Sequence, residues 1–291
     1  MTARTLDGLA ERIDAIAATP AGTPLPPDAE ENVRRLLSAL ERGEVRSAER
    51  GADGTWTAVA WVKRGILLGF RVGRVVAMPD DGRGADLDAP AAFFDKHTFP
   101  PRALTLRDEV RVVPGGTSIR RGAYVAPGVV CMPPAFVNAG AYIGAGTMVD
   151  SHALVGSCAQ IGERVHISAA AQIGGVLEPV NAAPVIIEHD SIIGGNCGVY
   201  EGTIVRARAV LGAGVVLTRG TPVFDLVRER VYRAQGASPL EIPEGAVVVP
   251  GARRIQSEWA ASEGLSVQTP IIVKYRDEKT DLATALEQWL R

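Results

Sequence analysis

A six-residue repeat runs through the middle of this chain and constrains its fold more than any other feature. From Val113, steps of six meet only aliphatic residues or cysteine as far as Ile173, and the step resumes from Ile187 to Val223. A small or β-branched residue lies four positions after each member of the first run as far as Ile167. Neither an amphipathic helix, with a period of 3.6, nor an alternating strand, with a period of 2, gives this spacing.

A period of six fits short strands joined by tight turns that bend the chain by about a third of a turn each time. Three hexapeptides then close one triangular coil, and coils stack at the strand spacing of about 4.8 Å. The aliphatic residue points into this prism, and the small residue fills the space beside it. Glycine and asparagine supply turn conformations that other residues enter only at a cost. The sequence therefore predicts a mainly β protein built on a parallel β-helix of hexapeptide repeats.

The regions that flank the repeat lack its period, which divides the chain into three predicted domains. Residues 1–108 carry helical spacing and turn signals and are predicted to form an α/β cap. Residues 109–255 form the β-helix, and residues 256–291 add a short strand and a helix. Within the flanks, the pattern predicts these elements: helices over Leu6–Ala18 and Asp28–Leu40, a hairpin over Val45–Trp56, a strand at Ile271–Val273 and a helix over Leu282–Leu290. The apolar run Ala58–Phe70 fits a strand or a buried helix.

Two interruptions of the period mark chain that must leave the prism. The step from Ile173 to Ile187 is two residues longer than twelve, and the excess lies near 178–186. The register is lost again over 225–240 and resumes at Ile242. Because the prism interior has no room, both segments are predicted to protrude as loops. Protruding loops on a rigid scaffold commonly carry binding residues.

Charge and hydropathy exclude several classes of partner. The net charge is −2 and the pI is near 6.1, which gives no indication of a nucleic-acid or membrane surface as the main partner. No apolar run reaches the ~18 residues of a membrane span, and the N-terminus lacks a signal-peptide pattern. We therefore expect a cytoplasmic protein.

Cysteine and histidine positions argue against a disulfide framework or a metal site. Cys131 and Cys197 fall at inward positions of the repeat, whereas Cys158 falls at an outward position. An odd number of unclustered cysteines does not build a disulfide scaffold or a zinc site. Three of the four histidines lie in the repeat, but they do not recur at a whole number of coils, as converging zinc ligands would. We expect no metal.

Several motifs are more specific than the repeat itself. They are Gly146-Thr-Met-Val-Asp150, Val155-Gly-Ser-Cys-Ala-Gln-Ile-Gly162, Gly174-Gly-Val-Leu-Glu-Pro179 and Tyr200-Glu-Gly202 in the coils, with Phe94-Asp-Lys96, Arg111-Val-Val-Pro114 and Ile271-Ile-Val-Lys274 outside them. In these motifs the chain resembles the tetrahydrodipicolinate N-succinyltransferases of lysine and diaminopimelate biosynthesis, over nearly its whole length. The resemblance implies a homotrimer with left-handed coils, an exception to the usual right-handed crossover. It also implies transfer of succinyl from succinyl-CoA to the amine of the hydrated, ring-opened substrate.

The resemblance also implies roles for particular residues. Asp150 matches the acidic residue of the Thr-Met-Val-Asp motif and is predicted to act as the base that deprotonates the attacking amine. A second family carboxylate is expected three residues before the Glu-Gly pair, but this chain has Gly198 there. Glu201 is the nearest remaining candidate for that role, although an acidic residue at this point also suits a turn.

The predicted binding residues follow in the same way. Arg111 matches the substrate-binding arginine, whose planar fork suits a carboxylate. The family has another arginine where this chain has Pro222, and Arg219 is a candidate substitute. For coenzyme A, Ala213 and Gly214 match the point where pantetheine runs along the coil edge, because a missing side chain permits close approach. Arg253, with Arg254 beside it, is a candidate for the phosphates.

Three alternatives stand beside the succinyltransferase. One is a neighbouring hexapeptide acyltransferase with acetyl-CoA as donor or a sugar nucleotide as acceptor. Another is a zinc enzyme similar to γ-class carbonic anhydrases, and the last is a β-helix scaffold with no activity. The match of both flanking regions argues against the scaffold, whereas the identity of the acyl donor is not fixed by residue patterns.

Apolar residues at outward positions of the repeat indicate assembly. Left in water, they would form apolar patches of the kind that mark interfaces. A threefold arrangement of prisms would bury them, with Asp150 predicted to reach a shared cleft from one subunit and the Ala213-Gly214 edge from its neighbour. The outward apolar residues are Tyr142, Met148, Leu154, Val210 and Val216.

Overall fold

The described residues of the N-terminal region form three helices and two antiparallel strand pairs. We describe a computed structural model that covers residues 6, 8–78, 93–236 and 238–277. Its N-terminal elements are α1 (Leu9–Ala17), α2 (Ala29–Glu41), β1 (Ala48–Arg50), β2 (Trp56–Ala58), α3 (Ala60–Val72), β3 (Val75–Met78) and β4 (Phe93–Lys96), followed by a 3₁₀ turn at Leu106–Asp108. Both predicted helices and the hairpin are confirmed, and the ambiguous run Ala58–Phe70 is mostly helix α3.

The three helices form a core of their own. Leu9 and Ile13 of α1, Leu36 of α2 and Ile66 of α3 are all fully buried against one another. Gly65 of α3 allows the close approach, because a Cβ there would lie 2.2 Å from the Leu36 side chain. The helical spacing of these residues therefore predicted the correct buried faces.

The repeats that follow form three parallel sheets, each made of every third strand. Face I contains β7 (Tyr124–Val125), β10 (Tyr142–Ile143), β13 (Gln160–Ile161), β16 (Ile186–Ile187), β19 (Ile204–Val205) and β24 (Glu241–Ile242). Face II contains β5 (Arg111–Val112), β8 (Val130–Cys131), β11 (Met148–Val149), β14 (His166–Ile167), β17 (Ile192–Ile193), β20 (Val210–Leu211) and β25 (Ala246–Arg254). Face III contains β6 (Ser118–Ile119), β9 (Phe136–Val137), β12 (Leu154–Val155), β15 (Gln172–Ile173), β18 (Gly198–Val199) and β21 (Val216–Leu217).

This arrangement is the three-sided coil that the six-residue period predicts. Each strand pairs with the strand one coil away, as Ile143 does with Ile161, so the inward residues stack in columns. Inward side chains that are wholly buried include Ile143, Ile161, Ile167, Ile173 and Cys131. Cys197 is almost completely buried. Burying each such side chain contributes about 1.5–3 kcal/mol. The handedness of the coil and the domain boundaries at 108 and 255 stay predictions.

The predicted register is wrong at both ends of the repeat. Cys131 pairs with Val112 rather than Val113, because one additional residue is accommodated before Ile119, where Gly115 and Gly116 adopt positive φ. At the other end Ile242, not Val223, stacks on Val205. A local period cannot anticipate this exchange, since it depends on strands that pair over long sequence separations.

Val223 begins a small sheet that caps the end of the coils. The strands involved are β22 (Val223–Asp225), β23 (Arg230–Tyr232) and β26 (Ser266–Tyr275), with the short helix α4 (Glu258–Ser262) before the last. β26 lies between β22 and β25, and it is longer than the predicted strand at Ile271–Val273. The Asp225 carboxylate accepts hydrogen bonds from the backbone of Val227 and from the hydroxyl of Tyr275, which joins the strands. The predicted helix over Leu282–Leu290 lies outside the described residues.

The described residues of the N-terminal region cover face I and leave most of the other two faces open. The outward residues Ile186, Ile204 and Gln160 are almost completely buried, the first two beneath Ala48 and Trp56 of the first hairpin. The indole of Trp56 donates a hydrogen bond to Glu188 at 2.9 Å, which ties the hairpin to the coils. On face III, by contrast, Phe136 and Val216 remain 38% and 37% exposed.

Two residues predicted to face outward are therefore covered by the chain itself. Cys158 does leave the prism interior, but it is wholly buried among the helices of the N-terminal region. Tyr142 stacks on Tyr124, with the Arg46 guanidinium 3.6 Å from its ring centroid. Tyr142 is thus partly covered by the chain's own N-terminal region. In the described part of the chain, no helix is long and apolar enough to cross a bilayer, and the cytoplasmic location stays a prediction.

Candidate active site

Asp150 lies on the edge where the chain turns from face II to face III, which we call the II–III edge. Its backbone N–H bonds to the carbonyl of Ile167 at 2.9 Å, as part of the ladder between coils. Its Oδ1 accepts a hydrogen bond from the backbone of Ser151 at 2.7 Å, while Oδ2 has no hydrogen-bond partner among the described residues. The carboxylate is therefore held in place with one oxygen free for a ligand.

Arg111 lies on the first strand of face II. The register places it over Val130, which in turn lies over Met148, two residues before Asp150. Arg111 and Met148 are thus two coils apart, about 10 Å at the strand spacing. The Arg111 side chain is exposed and makes no hydrogen bond within the described part of the chain. The predicted pair of Arg111 and Asp150 therefore comes together on one side of the prism.

Ala213 and Gly214 lie on the II–III edge, three coils beyond Asp150. Backbone hydrogen bonds of 2.8–3.0 Å connect this corner in successive coils, from Ala170 to Ser151, from Asn196 to Ala169 and from Gly214 to Gly195. Three coils correspond to about 14 Å along the edge. Gly214 has φ of 78°, and a Cβ built on it would meet nothing within 4 Å. The edge is therefore open to a long, thin ligand beside the backbone.

Arg253 lies at the same end of this edge as Gly214. It belongs to β25, which continues past the edge instead of turning onto face III, and it pairs with Val267 of β26. The next residue of β26, Gln268, donates a hydrogen bond from Nε2 to the carbonyl of Gly214 at 3.2 Å. The structure thus brings together all three residues predicted to contact coenzyme A.

Glu201 lies on a different edge, where the chain turns from face III to face I. Its Oε2 accepts a hydrogen bond from the backbone of Arg219 at 2.7 Å, and the Arg219 guanidinium donates to the carbonyl of Gly236. Within one chain, a whole side of the prism separates this III–I edge from Asp150. The two carboxylates predicted to act together are therefore not brought together by a single chain.

A cleft of about 1230 Å³ opens on the III–I edge. It is larger than the 300–1,000 Å³ of an ordinary small-molecule site. The predicted protruding loop forms one wall and the first hairpin forms another. The lining consists of Thr55–Ala58, Gly174, Gly175, Val176, Glu178, Pro179, Asn181–Ala183, Tyr200–Gly202, Thr218, Arg219, Ser238, Pro239 and Glu241.

Comparison with known proteins places both parts of this architecture in one family. A family model described as tetrahydrodipicolinate N-succinyltransferase N-terminal matches residues 11–72, and one described as hexapeptide repeat of succinyl-transferase matches residues 184–219. The 2,3,4,5-tetrahydropyridine-2,6-dicarboxylate N-succinyltransferase of Nitrobacter hamburgensis is 41% identical over 99% of this chain and 97% of its own length. The chain belongs to the tetrahydrodipicolinate N-succinyltransferase family.

A second relative agrees with this assignment. The enzyme of the same name from Rhodopseudomonas palustris strain BisB5 is 44% identical over 89% of each chain. A solved structure described as a 2,3,4,5-tetrahydropyridine-2-carboxylate N-succinyltransferase from Campylobacter jejuni aligns with 87% of this chain and 64% of its own, at 19% identity and a TM-score of 0.49. The relatives at about 40% identity carry the family assignment.

One residue of this N-succinyltransferase family member contributes to the cleft without any signal in the sequence. Lys63 of α3 is fully buried, and its Nζ donates a hydrogen bond to the carbonyl of Ala182 in the protruding loop at 2.6 Å. Burial lowers the pKa of the Lys63 ammonium below its ordinary value. A lysine in an amphipathic helix is normally taken for a surface residue, so only the tertiary structure identifies this anchor.

The zinc-enzyme alternative has no ligand cluster to support it in the described ranges. Among residues 6, 8–78, 93–236 and 238–277, no group of three His, Cys, Asp or Glu side chains is arranged to hold a metal ion. His166 lies on face II between Met148 and Ile192, while His152 and His189 lie on separate turns. An open zinc site requires three converging protein ligands.

Proposed function

We propose that this chain transfers the succinyl group of succinyl-CoA to the amine of hydrated, ring-opened tetrahydrodipicolinate, giving N-succinyl-2-amino-6-oxopimelate. The observation that carries the proposal is similarity over almost the whole chain to relatives that are named for this reaction. The open carboxylate of Asp150 and the open II–III edge provide the two features that such a transfer needs.

Asp150 is the proposed general base. It takes a proton from the attacking amine as nitrogen bonds to the thioester carbonyl carbon. The tetrahedral intermediate then collapses, the carbon–sulfur bond breaks, and the proton passes from Asp150 to the departing thiolate of coenzyme A. A positioned carboxylate contributes about 10²–10⁴-fold to such a step, and the hydrogen bond from Ser151 to Oδ1 leaves Oδ2 available for it.

The dicarboxylate acceptor needs a cationic or hydrogen-bonding group at each end. Arg111 is the proposed partner of one carboxylate, since its exposed guanidinium can bind both oxygens. Glu201 and Arg219 belong to the opposite side of the site, where both line the cleft on the III–I edge. Glu201 is the proposed second acidic residue, and Arg219 substitutes for the arginine that the family has at the position of Pro222.

The pantetheine arm of coenzyme A is proposed to follow the II–III edge from Gly214 towards Asp150. Ala213 and Gly214 present bare backbone there, and Arg253 lies at the far end, where the phosphates would be. The span of about 14 Å between Gly214 and Asp150 suits an extended arm. This arrangement replaces the predicted one, because Asp150 and Gly214 occupy the same edge of the same chain.

The active assembly is proposed to be a homotrimer of left-handed coils. Faces II and III carry the apolar residues that the N-terminal region leaves uncovered, Met148, Leu154, Val210 and Val216 among them. Packing these faces between neighbours would remove the apolar surface from water. It would also bring the II–III edge of one subunit against the III–I cleft of the next, so that Asp150 and Glu201 meet.

A thiol-release assay tests the proposed reaction most directly. The purified protein is given succinyl-CoA or acetyl-CoA with tetrahydrodipicolinate, and coenzyme A release is followed over time. We expect release that depends on the acceptor and a kcat/KM for succinyl-CoA well above that for acetyl-CoA. A preference for acetyl-CoA, or acceptor-dependent release only with a sugar nucleotide, would establish the neighbouring acyltransferase instead.

Mixed refolding tests the shared site. Asp150→Asn and Glu201→Gln subunits, each inactive alone, should regain activity when refolded together, because some interfaces then combine two unmutated halves. Asp150→Asn mixed with Gly214→Trp, assayed at a succinyl-CoA concentration well below the raised KM, should give no more activity than the two variants measured separately, since both groups serve a site from the same chain. If the second mixture is restored and the first is not, Asp150 and Gly214 come from different subunits and the arrangement proposed here is wrong.

A further inference from the structure

Gly198 holds a position on face III where every other strand carries a side chain. The equivalent residues on the other five strands are Ser118, Phe136, Leu154, Gln172 and Val216. Gly198 is nevertheless buried, because the ring of Tyr200 folds back over it. A Cβ built on Gly198 would lie 2.5 Å from Cε2 of Tyr200 and 3.0 Å from its hydroxyl oxygen.

A second glycine, one coil away, makes room for the same ring. A Cβ on Gly174 would lie 2.8 Å from Cδ1 of Tyr200. Neither Gly174 nor Gly198 has a positive φ, so the backbone conformation does not require glycine at these two positions. The Tyr200 ring does require it, since any larger residue at either position would displace the ring.

The Tyr200 hydroxyl is free to bind a ligand. It makes no hydrogen bond within residues 8–78, 93–236 and 238–277, and Tyr200 lines the cleft on the III–I edge together with Arg219. A phenol can donate a hydrogen bond, whereas an ionised carboxylate can only accept one. A tyrosine in the place of an acidic side chain therefore changes which substrate group is recognised there, from an amine to an oxygen.

We propose that Tyr200 determines specificity by donating a hydrogen bond to one carboxylate of the acceptor, in place of the side chain that residue 198 lacks. The inference rests on the proposed function and adds to it the group that binds the end of the dicarboxylate away from Arg111. Tyr200 and Arg219 together form the carboxylate-binding side of the cleft, and Asp150 keeps the role of base.

Replacing Tyr200 with phenylalanine removes the hydroxyl and keeps the ring. A hydrogen bond to a charged group contributes about 1.5–3 kcal/mol, so KM for tetrahydrodipicolinate should rise roughly 10- to 100-fold. KM for succinyl-CoA and the melting temperature should stay unchanged. An unchanged acceptor KM in Tyr200→Phe, or an equal rise for both substrates, would overturn the inference while leaving the succinyltransferase activity of the wild type intact.

Gly198→Ala provides the second variant, because its added methyl group must move the ring. It should raise the acceptor KM while Tyr200 is still present. In the double variant Gly198→Ala/Tyr200→Phe, the acceptor KM should be no higher than in the more impaired single variant. Gly220→Ala is the matched control, since a Cβ at Gly220 meets only Thr218 at 4.0 Å. Additive losses in the double variant, or a wild type without succinyl transfer, would contradict the proposal.

Discussion

The II–III and III–I edges border the same face of the prism but differ in almost every respect. The II–III edge is bare, with small residues and glycine along several coils, and β25 and β26 lie beside its end. The III–I edge is walled by the first hairpin and by the loop that Lys63 anchors at Ala182, which together enclose the large cleft. A bare edge suits a long, flexible arm, and a walled cleft suits a compact polar molecule.

One repeating scaffold thus carries two kinds of edge. Each corner of the coil has the same backbone pattern, so its chemistry depends on what is added around it. Corner residues such as Gly214 keep an edge open, whereas an extruded loop closes another. The variants that follow test whether the two edges divide the donor and the acceptor as proposed, beginning with the largest expected effect.

Asp150→Asn should lower kcat by about 10²–10⁴-fold, because the amide cannot accept the proton of the attacking amine. Circular dichroism and the melting temperature should stay as in the wild type. Asp190→Asn is a matched control at another corner, where the carboxylate is paired with Arg164 at 2.7 Å. Equal losses in the two variants would mean that Asp150 has no special role on its edge.

Arg111→Lys should weaken acceptor binding by about 1.5–3 kcal/mol, since an ammonium group cannot reproduce a two-pronged contact with a carboxylate. Affinity for succinyl-CoA should remain nearly the same, as measured by calorimetry. Arg107→Lys, at an exposed turn nearby, should change neither affinity. If Arg111→Lys lowers the affinity for succinyl-CoA and for the acceptor equally, Arg111 does not belong to a separate acceptor side.

Gly214→Trp should raise KM for succinyl-CoA by about tenfold, which corresponds to 1.4 kcal/mol, and leave the acceptor KM unchanged. The indole would occupy the open edge where the pantetheine arm is proposed to run. Gly264→Trp is a matched control, because Gly264 also has positive φ and open space around its Cβ position. A rise in the acceptor KM instead would assign the bare edge to the wrong substrate.

The last effect appears only at alkaline pH and concerns the interior that both edges share. Burial raises the pKa of Cys131 above its ordinary value of 9.0 to about 11. Because the folded-state pKa is the higher one, the thiol stabilises the fold fully below pH 9 and loses that contribution as the pH rises towards 11. Over this pH range the free energy of unfolding of the wild type should fall by an amount on the order of 2 kcal/mol, and Cys131→Val should lack this fall. Chemical denaturation at pH 8 and pH 10.5 measures it, and parallel pH slopes for the two proteins would show that Cys131 ionises freely.

Most of the coil was predictable because its causes are local. A residue in one coil bonds to the residue about eighteen positions later, and the same six-residue step fixes which side chains point inward. Val112 and Val223 mark the limits of that reasoning, since a glycine-rich turn and a distant strand shift the register. For the proposed site, motif similarity suggested six residues, which the coil geometry groups by edge: Asp150, Arg111, Glu201, Ala213, Gly214 and Arg253.

Tyr200 shows why the rest of the proposed site could not be predicted. The sequence places it beside Glu201, but only the folded chain turns its ring over Gly198 and Gly174. Likewise, nothing in helix α3 indicates that Lys63 reaches a loop 119 residues away. Such contacts depend on how separate elements pack, which the period of either element does not encode.

The amino-acid sequence alone therefore determined the three-sided prism, its interior, its two extruded segments and the family to which the chain is similar. Hydrogen bonding between neighbouring coils and burial of regularly spaced aliphatic residues act over short sequence distances, so a repeat is enough to specify them. Only the tertiary structure decided that the N-terminal region covers face I, Tyr142 and Cys158 included, and that the cleft lies on the III–I edge. The physical reason is that docking of one element on another depends on the shapes and charges of two surfaces at once.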